Sequence, residues 1–294
     1  MACLEGRNNS HAIFFMILAS IFVASTTIIA KILGSDQYGV ALNPLQISHS
    51  RFLFAFIFIA IIFWKTRSRI KKPNLRLHIA RTISGWVGVS ILFGASSLIP
   101  VTDAIAINFT NPIFAMLFAI PFLKEKINLH RWFATFITFL GAIILIRPSF
   151  NLLEYELIAI ISLFGAIILG LEAIFIKLLV KLENEIQILF INNAIGLIIS
   201  SLPIIFIWKE PNFLQIIFCI SVGLFMLCGQ FCFLKALKRG DVSFVVPFFY
   251  NTLIFVIIFD YFIFNDFPDR ISLIGSIAIV IGGIINFYEK RKTI

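Results

Sequence analysis

Ten apolar stretches follow one another along the chain, each close to the length of a helix that crosses a bilayer. They run over 12–33, 47–65, 80–98, 103–121, 131–147, 156–177, 187–208, 213–235, 242–264 and 271–288. A hydrocarbon core ~30 Å thick is crossed by ~20 mostly apolar residues in a helix. Lipid offers the backbone no hydrogen-bonding partner, so each stretch is predicted to be a helix that satisfies its own main chain. Several connections are very short. Ser97-Leu98-Ile99-Pro100 leads from the third stretch to the fourth, and Lys209-Glu210-Pro211 joins the seventh to the eighth. Links of this length predict antiparallel neighbours and leave no room for a domain outside the membrane. The expected class is an all-α polytopic membrane protein with ten transmembrane helices.

Composition removes the soluble alternative. Hydrophobic residues make up 60% of the 294 and charged residues 13%, too few to coat a water-soluble domain of this size. The first stretch has a long core and no small-x-small cleavage pattern, so it is read as a retained helix and not as a signal peptide. A net charge of +9 would point to nucleic acid in a soluble protein. Here the basic residues lie between apolar stretches and bear on topology, and no nucleic-acid partner is expected. With the N-terminus inside, the inner connections and the two ends carry 19 Lys and Arg. The outer side has only Lys31, Arg51, Arg147, Lys209 and Arg270. This asymmetry predicts an even number of spans with both termini cytoplasmic. Trp64, Trp132 and Trp208 fall near span ends, as interfacial aromatics do, while Trp86 lies deeper.

The second half of the chain echoes the first. Aligning 85–145 with 226–286, an offset of 141, pairs Gly88 with Gly229, Ala95 with Ala236, Gly141 with Gly282 and Phe118 with Phe259. Glu125 then falls on Asp266. The expected repeats are 1–150 and 151–294, with five spans each. Five is odd, so the two halves insert with opposite orientation, the plan of many secondary transporters that bind substrate between inverted repeats and alternate access between the two sides. Small residues in span 3 (Gly85, Gly88, Ser90, Gly94, Ala95) and span 10 (Gly275, Ser276, Ala278, Gly282, Gly283) permit close helix contact, static or sliding.

Charge inside a bilayer is costly and marks candidate chemistry. Glu172 lies within span 6, where it is placed to bind an amine or exchange a proton, or else to pair with a nearby lysine. Asp260, nearer the outer end of span 9, is the second candidate for proton or ion coupling. Arg51, near the outer start of span 2, suits a carboxylate or phosphate, or snorkels to headgroups. Asn108, Asn111, Asn192, Asn193, Gln230 and Asn251 are amides within spans, able to donate and accept toward a zwitterionic or heteroaromatic metabolite. Trp86 and Tyr250 offer stacking or cation–π surfaces. Interhelical hydrogen bonding is the plainer role for this polar set. Pro112 and Pro247 fall inside spans 4 and 9 and are expected to kink them, shaping a cavity or a gate. Glu125 and Asp266 are expected to cap spans 5 and 10.

Other chemistry is poorly represented. Cys3, Cys219, Cys228 and Cys232 form no metal-ligand or disulfide pattern. His11, His49, His78 and His130 are scattered, and no phosphate-binding Gly-x-x-x-x-Gly-Lys-Ser/Thr loop is present. Neither an enzyme nor a cofactor or metal site is expected.

The segment LIPVTDAIAINFTNPIFAMLFAIPFLKEKINLHRWFATFITFLGAIILIRP, 98–148, carries Ala104 and Ala106, Asn111-Pro112, Glu125, Arg131 and Gly141 in a recognisable frame. LKRGDVSFVVPFFYNTLIFVIIFDYFIFNDFPDRISLIGSIAIVIGGIINF, 237–287, repeats it with Pro247, Asn265-Asp266 and Gly275, and Arg51-Phe52 opens span 2. In these features the chain resembles the EamA branch of the drug/metabolite transporter superfamily, bacterial ten-helix permeases, over nearly its whole length. Asp266 departs from the glutamate more usual there. The resemblance implies a multi-pass protein of the bacterial inner membrane that carries a small metabolite. The candidate cargoes it implies are S-adenosylmethionine, taken up or exchanged by similar alphaproteobacterial proteins, and amino acids, amines, nucleosides or riboflavin. A passive channel or a membrane enzyme is the remote alternative.

Overall fold

The computed structural model describes residues 2–67, 70–96, 98–99, 101–147, 156–264 and 269–292. The proposed repeat boundary at 150/151 and the Asn265-Asp266 turn lie outside the described residues. Twelve helices make up the described chain. They are α1 (Ala2–Leu33), α2 (Pro44–Lys65), α3 (Leu75–Ser96), α4 (Val101–Asn108), α5 (Asn111–Leu123), α6 (Leu129–Ile146), α7 (Glu156–Leu182), α8 (Glu185–Ile207), α9 (Phe213–Arg239), α10 (Val242–Val245), α11 (Asn251–Phe264) and α12 (Arg270–Lys292). Short 3₁₀ segments cover Asp36–Tyr38 and Val246–Tyr250. Among the described residues nine helical segments are long and apolar enough to cross a membrane, two of them the joined pairs Asp103–Leu123 and Val242–Phe264. The exception is α3, which opens on Arg76, His78 and Arg81 and is diluted by glycine and serine.

Local chemistry sets the helix ends. Asn43 caps α2 by accepting from the Leu45 N–H, and Pro44 follows at the first turn, where a missing N–H costs nothing. Asn184 caps α8 in the same way through the Gln187 N–H, and Asn212 with Gln215 forms a capping box on α9. Lys124 and Arg147 end α5 and α6 in the left-handed conformation.

Spans 4 and 9 are broken where their prolines were expected to act. Pro112 has no N–H to continue α4, and Phe109-Thr110 form a turn before α5. Side chains take up the freed carbonyls. Thr110 Oγ1 donates to Ile107 O at 2.6 Å and Asn111 Nδ2 to Asn108 O at 2.9 Å. In span 9, α10 passes through the 3₁₀ turn holding Pro247 into α11, and Asn251 Nδ2 donates to Phe248 O at 2.7 Å.

The bundle is held by a small set of helix pairs. α1 packs along α9, α3 along α7, α2 along α8 and α6 along α12, and α5 rests on α7 as α11 rests on α1. Glycines carry the closest seams. A Cβ on Gly141 of α6 would meet Gly275 O of α12 at 2.7 Å and Ile279 N at 2.8 Å. A Cβ on Gly282 of α12 would meet Ala134 O of α6 at 2.8 Å and Thr138 N at 2.9 Å. Similarly, Gly88 of α3 seats Leu169 of α7, and Gly229 of α9 seats Phe22 and Val23 of α1. Outward faces stay apolar, as lipid contact requires, with Trp64 84% exposed at the end of α2.

Two glutamines staple α2 to α8, one at each end of the pair. Gln46 donates through Nε2 to Lys209 O at 2.6 Å and accepts from the Lys209 N–H at 3.1 Å. Gln187 donates to Lys71 O at 3.2 Å and accepts from the Lys71 N–H at 2.9 Å. The start of each helix thereby grips the chain beyond the end of the other.

Candidate functional site

Three ionisable groups meet inside the bundle. Arg51 comes from α2, Arg81 from α3 and Glu172 from α7. The Arg81 Nε lies 4.0 Å from Glu172 Oε1, with the arginine side chain 3% exposed and the carboxylate 23% exposed. Arg51 lies within electrostatic reach of both. Gly85, one turn above Arg81, makes room for the carboxylate, since a Cβ there would stand 2.8 Å from Glu172 Oε1. Arg51 rests on the Phe52 ring, 4.3 Å from its centroid, and Gly196 of α8 leaves the space that the ring fills. Nε of Arg51 and both Nε and Nη1 of Arg81 are buried with no hydrogen-bond acceptor. Beside them, Thr82 Oγ1 donates to Asn192 Oδ1 at 3.0 Å, tying α3 to α8.

The plainer alternative for Glu172 was an ion pair with a nearby lysine. Lys177 instead turns away to Leu237 O at 2.6 Å and Gly240 O at 2.7 Å, where it caps the end of α9. Arg81 takes its place. By sequence Arg81 counted among the inner loop charges, because it lies within two turns of the start of α3. Its burial to 2% was not visible in the spacing.

The remaining expected residues divide into separate groups. Asn108 and Asn111 flank the break in span 4, and Tyr250 joins them from the break in span 9. Tyr250 is fully buried and donates through its hydroxyl to Phe109 O at 2.6 Å, with the two rings 5.7 Å apart. Its phenol is thus committed to a main-chain carbonyl. α7 passes by this region as well, for a Cβ on Gly170 would lie 2.9 Å from Ala115 N and 3.1 Å from Asn111 O. Asn193 folds back on Leu189 O within α8. Trp86 is half-buried next to Gly85, and Gln230 is half-buried on α9 with an unpartnered Oε1. Asp260 is removed from all of these, paired with Lys31 of α1 at 2.8 Å.

Glu125 differs from its expected role. It does not cap span 5. Its carboxylate accepts from the Val242 N–H at 2.9 Å, the Ser243 N–H at 3.0 Å and Ser243 Oγ at 2.6 Å, so it caps α10 in the other half of the chain. Arg131 completes the junction by donating to Ser243 Oγ at 3.0 Å. The partner is 117 residues away, which no local capping pattern reveals.

A cavity of about 330 Å³ opens elsewhere, between Ser10, Ile13 and Ile17 of α1, Phe248 and Asn251, and Gly283 and Phe287 of α12. Of the expected site residues it holds Asn251. Apart from Ser10 and Asn251 its walls are apolar, and it does not reach the charged centre.

Comparison with known proteins follows the same architecture. The sequence model of the EamA-like transporter family matches residues 10–147 and 156–288. The chain is 26% identical over 259 residues to an S-adenosylmethionine uptake transporter of Rickettsia bellii, covering 88% of each chain. It is 24% identical over 234 residues to a riboflavin transporter of Vibrio cholerae, covering 77% of this chain and 76% of the relative. A solved crystal structure superposes with a TM-score of 0.83 over 97% of this chain and 99% of the other, at 16% identity, and so shares the fold.

Proposed function

Because the chain belongs to the EamA-like transporter family of multi-pass inner-membrane proteins, we propose that it is a secondary transporter working by alternating access around the Arg51–Arg81–Glu172 centre. The single observation that carries this reading is the convergence of three ionisable side chains from three helices inside the bundle, with guanidinium donors left unpartnered. Such groups mark substrate or ion paths in membrane proteins. Arg51 and Arg81 belong to the first half of the chain and Glu172 to the second. The centre therefore lies where the halves meet, and Glu172 is the group we assign to coupling.

The proposed plan has ten spans, with α3 as the tenth, arranged as two inverted repeats of five. Exchange of equivalent contacts supports it. Gly141 meets residues 275 and 279, and Gly282 meets 134 and 138. All three positions are related by the offset of 141. The α1–α9 pair corresponds to α7–α3, and α11 on α1 to α5 on α7. Gln46 and Gln187, again 141 apart, make the same two-bond grip on the main chain of a lysine at opposite ends of the α2–α8 pair. In the proposed cycle this stapled pair stays fixed, both termini face the cytoplasm, and the breaks before Pro112 and at Pro247 are where spans 4 and 9 bend.

S-adenosylmethionine, taken up or exchanged, is the proposed cargo, by similarity to the relatives that bear that name. Amino acids, amines and riboflavin follow as alternatives. The test is counterflow in proteoliposomes preloaded with unlabelled S-adenosylmethionine. Transient, saturable accumulation of external label is expected. Flux that stays linear with concentration and ignores the internal load would instead identify a pore.

A further inference from the structure

We propose that Arg51 and Arg81 form a carboxylate-binding subsite, with Glu172 as the counter-ion that a substrate carboxylate joins. The inference rests on reading the centre as the transport site and goes on to name the chemistry it selects.

Charge balance is the first argument. Two guanidinium groups, which stay protonated in proteins, face one carboxylate. Among the described residues Glu172 is the one acid within ion-pair distance of Arg81, and no acid comes that close to Arg51. Glu183, which accepts from the Asn74 N–H at 2.8 Å and lies 2.9 Å from His78 Nε2, makes no ion pair with either arginine. The site is one negative charge short of neutrality. A carboxylate group held at the arginines supplies it locally, whatever charge the rest of the ligand carries away from them. A phosphate dianion overshoots, and a cation without a carboxylate adds to the excess.

Hydrogen bonding is the second. A buried donor without an acceptor is costly, and more so when charged. Arg81 is 2% exposed yet leaves Nε and Nη1 unpartnered, and Arg51 leaves Nε unpartnered. Glu172 does not use these donors, since 4.0 Å exceeds a hydrogen bond. A fixed internal ion pair would close that gap. An open one leaves donors for an incoming oxyanion.

Preorganisation is the third. Arg51 is held by the face of the Phe52 ring, a contact that orients the guanidinium without consuming an N–H. Gly196 lets that ring in, and Gly85 holds open the space in which Glu172 lies. A planar guanidinium matches a planar carboxylate with paired bonds, which a lysine cannot do.

The test compares two small probes that differ by one group, L-methionine and its decarboxylated amine, 3-(methylthio)propylamine. The readout is thermal stabilisation of the purified full-length protein in detergent. The expected result is that L-methionine raises the melting temperature more than the amine does. In Arg81→Gln and in Arg51→Gln that difference should vanish, while the unliganded melting temperature of Arg81→Gln holds or rises because a buried excess charge is gone. Equal responses to the two probes in the wild type, nil included, overturn the subsite. So does a preference that survives both substitutions, or a sharp loss of unliganded stability in Arg81→Gln, which marks a structural ion pair. Absence of counterflow in proteoliposomes sinks the transporter reading and is scored separately from this binding measurement.

Discussion

The two glutamine staples allow a prediction worked bond by bond. Gln46 is 3% exposed and Gln187 1% exposed. Each donates one hydrogen bond to a lysine carbonyl and accepts one from the same lysine's N–H. Gln46→Ala or Gln187→Ala removes both bonds and leaves a main-chain donor and acceptor without their partner, and Gln187→Ala also removes the donation from Nε2 to Glu183 Oε2. At ~0.5–1.5 kcal/mol net per bond, each substitution costs about 1–3 kcal/mol of local stability. With ~1.4 kcal/mol per tenfold, the opening equilibrium of the gripped segment rises roughly 5- to 150-fold. Hydrogen exchange read by mass spectrometry resolves where this happens. Gln46→Ala should speed exchange in peptides covering Lys209 and leave those covering Lys71 unchanged, and Gln187→Ala should do the reverse. The inverted plan adds a sharper requirement, that the Gln187→Ala effect be at least as large as the Gln46→Ala effect, because the two grips are alike and Gln187 also holds Glu183. Faster exchange in both segments from either variant, or in neither, would refute the assignment of two independent staples at opposite ends of one helix pair.

Gly85→Ala places a Cβ 2.8 Å from the end of the Glu172 side chain, which is flexible enough to move. The variant should lose transport rate in the counterflow assay while keeping its melting temperature. Gly141→Ala meets main chain of α12 at 2.7 and 2.8 Å and has no such relief, so a loss of about 1–3 kcal/mol is expected in denaturant unfolding of the detergent-solubilised protein. Gly94→Ala meets nothing within 4 Å on the same α3 and is expected to gain ~0.4–1 kcal/mol in the same measurement. Asp269, exposed before α12, is pulled down to about 2 by hydrogen bonds from Arg147 and then from Ser272. A depressed carboxylate contributes stability above its unfolded value and loses it only as pH falls toward the folded one. The Arg147–Asp269 contact should therefore be unchanged from neutral pH down through the ordinary carboxylate range. Arg147→Ala should bring the Asp269 titration, followed by carboxylate NMR, back up toward that range.

Much of the fold could be read from the chain because lipid imposes a strong pattern. Span lengths, the glycine echoes at 141 and the proline positions all depend on the backbone and on residue size, which local sequence expresses directly. The breaks at Pro112 and Pro247 follow from a missing N–H, and the side chains that relieve them, Asn111 and Asn251, stand within four residues. The site was half legible. Arg51 and Glu172 stood out as charges within apolar runs. Arg81 did not, because a charge near a helix start looks the same in sequence whether it points to water or into the bundle. Tyr250 was read as a ring surface, but its hydroxyl is taken by Phe109 O, and a main-chain acceptor leaves no trace in composition. Gln46 and Gln187 share the 141 offset but lie outside the stretch where the duplication was visible. Glu125 acts on Ser243 across the halves, a contact set by packing and not by any capping motif.

On the proposed reading, the arrangement of the centre also links cargo to movement. Arg51 is built on α2, which the two glutamines fasten to α8. Arg81 and Glu172 are built on the α3–α7 seam, where Gly85 and Gly88 hold the helices together. A ligand shifts a conformational equilibrium only by as much as it binds one state better than the other. On the proposed reading, a carboxylate held by both arginines bridges the stapled pair and the seam, and its affinity depends on the distance between them. A displacement of ~1 Å lengthens a hydrogen bond beyond its useful range. A molecule that bonds to Arg81 alone makes no such bridge, and its affinity is the same in every arrangement of the two units. Sequence similarity to transporters named for different cargoes fits this division of labour, since a scaffold can be kept while the groups that bridge it change. In this chain the bridging groups are few. Loss of either arginine is then expected to uncouple binding from exchange: half-saturation and maximal rate should both worsen in Arg51→Gln, although α2 and its staples remain intact.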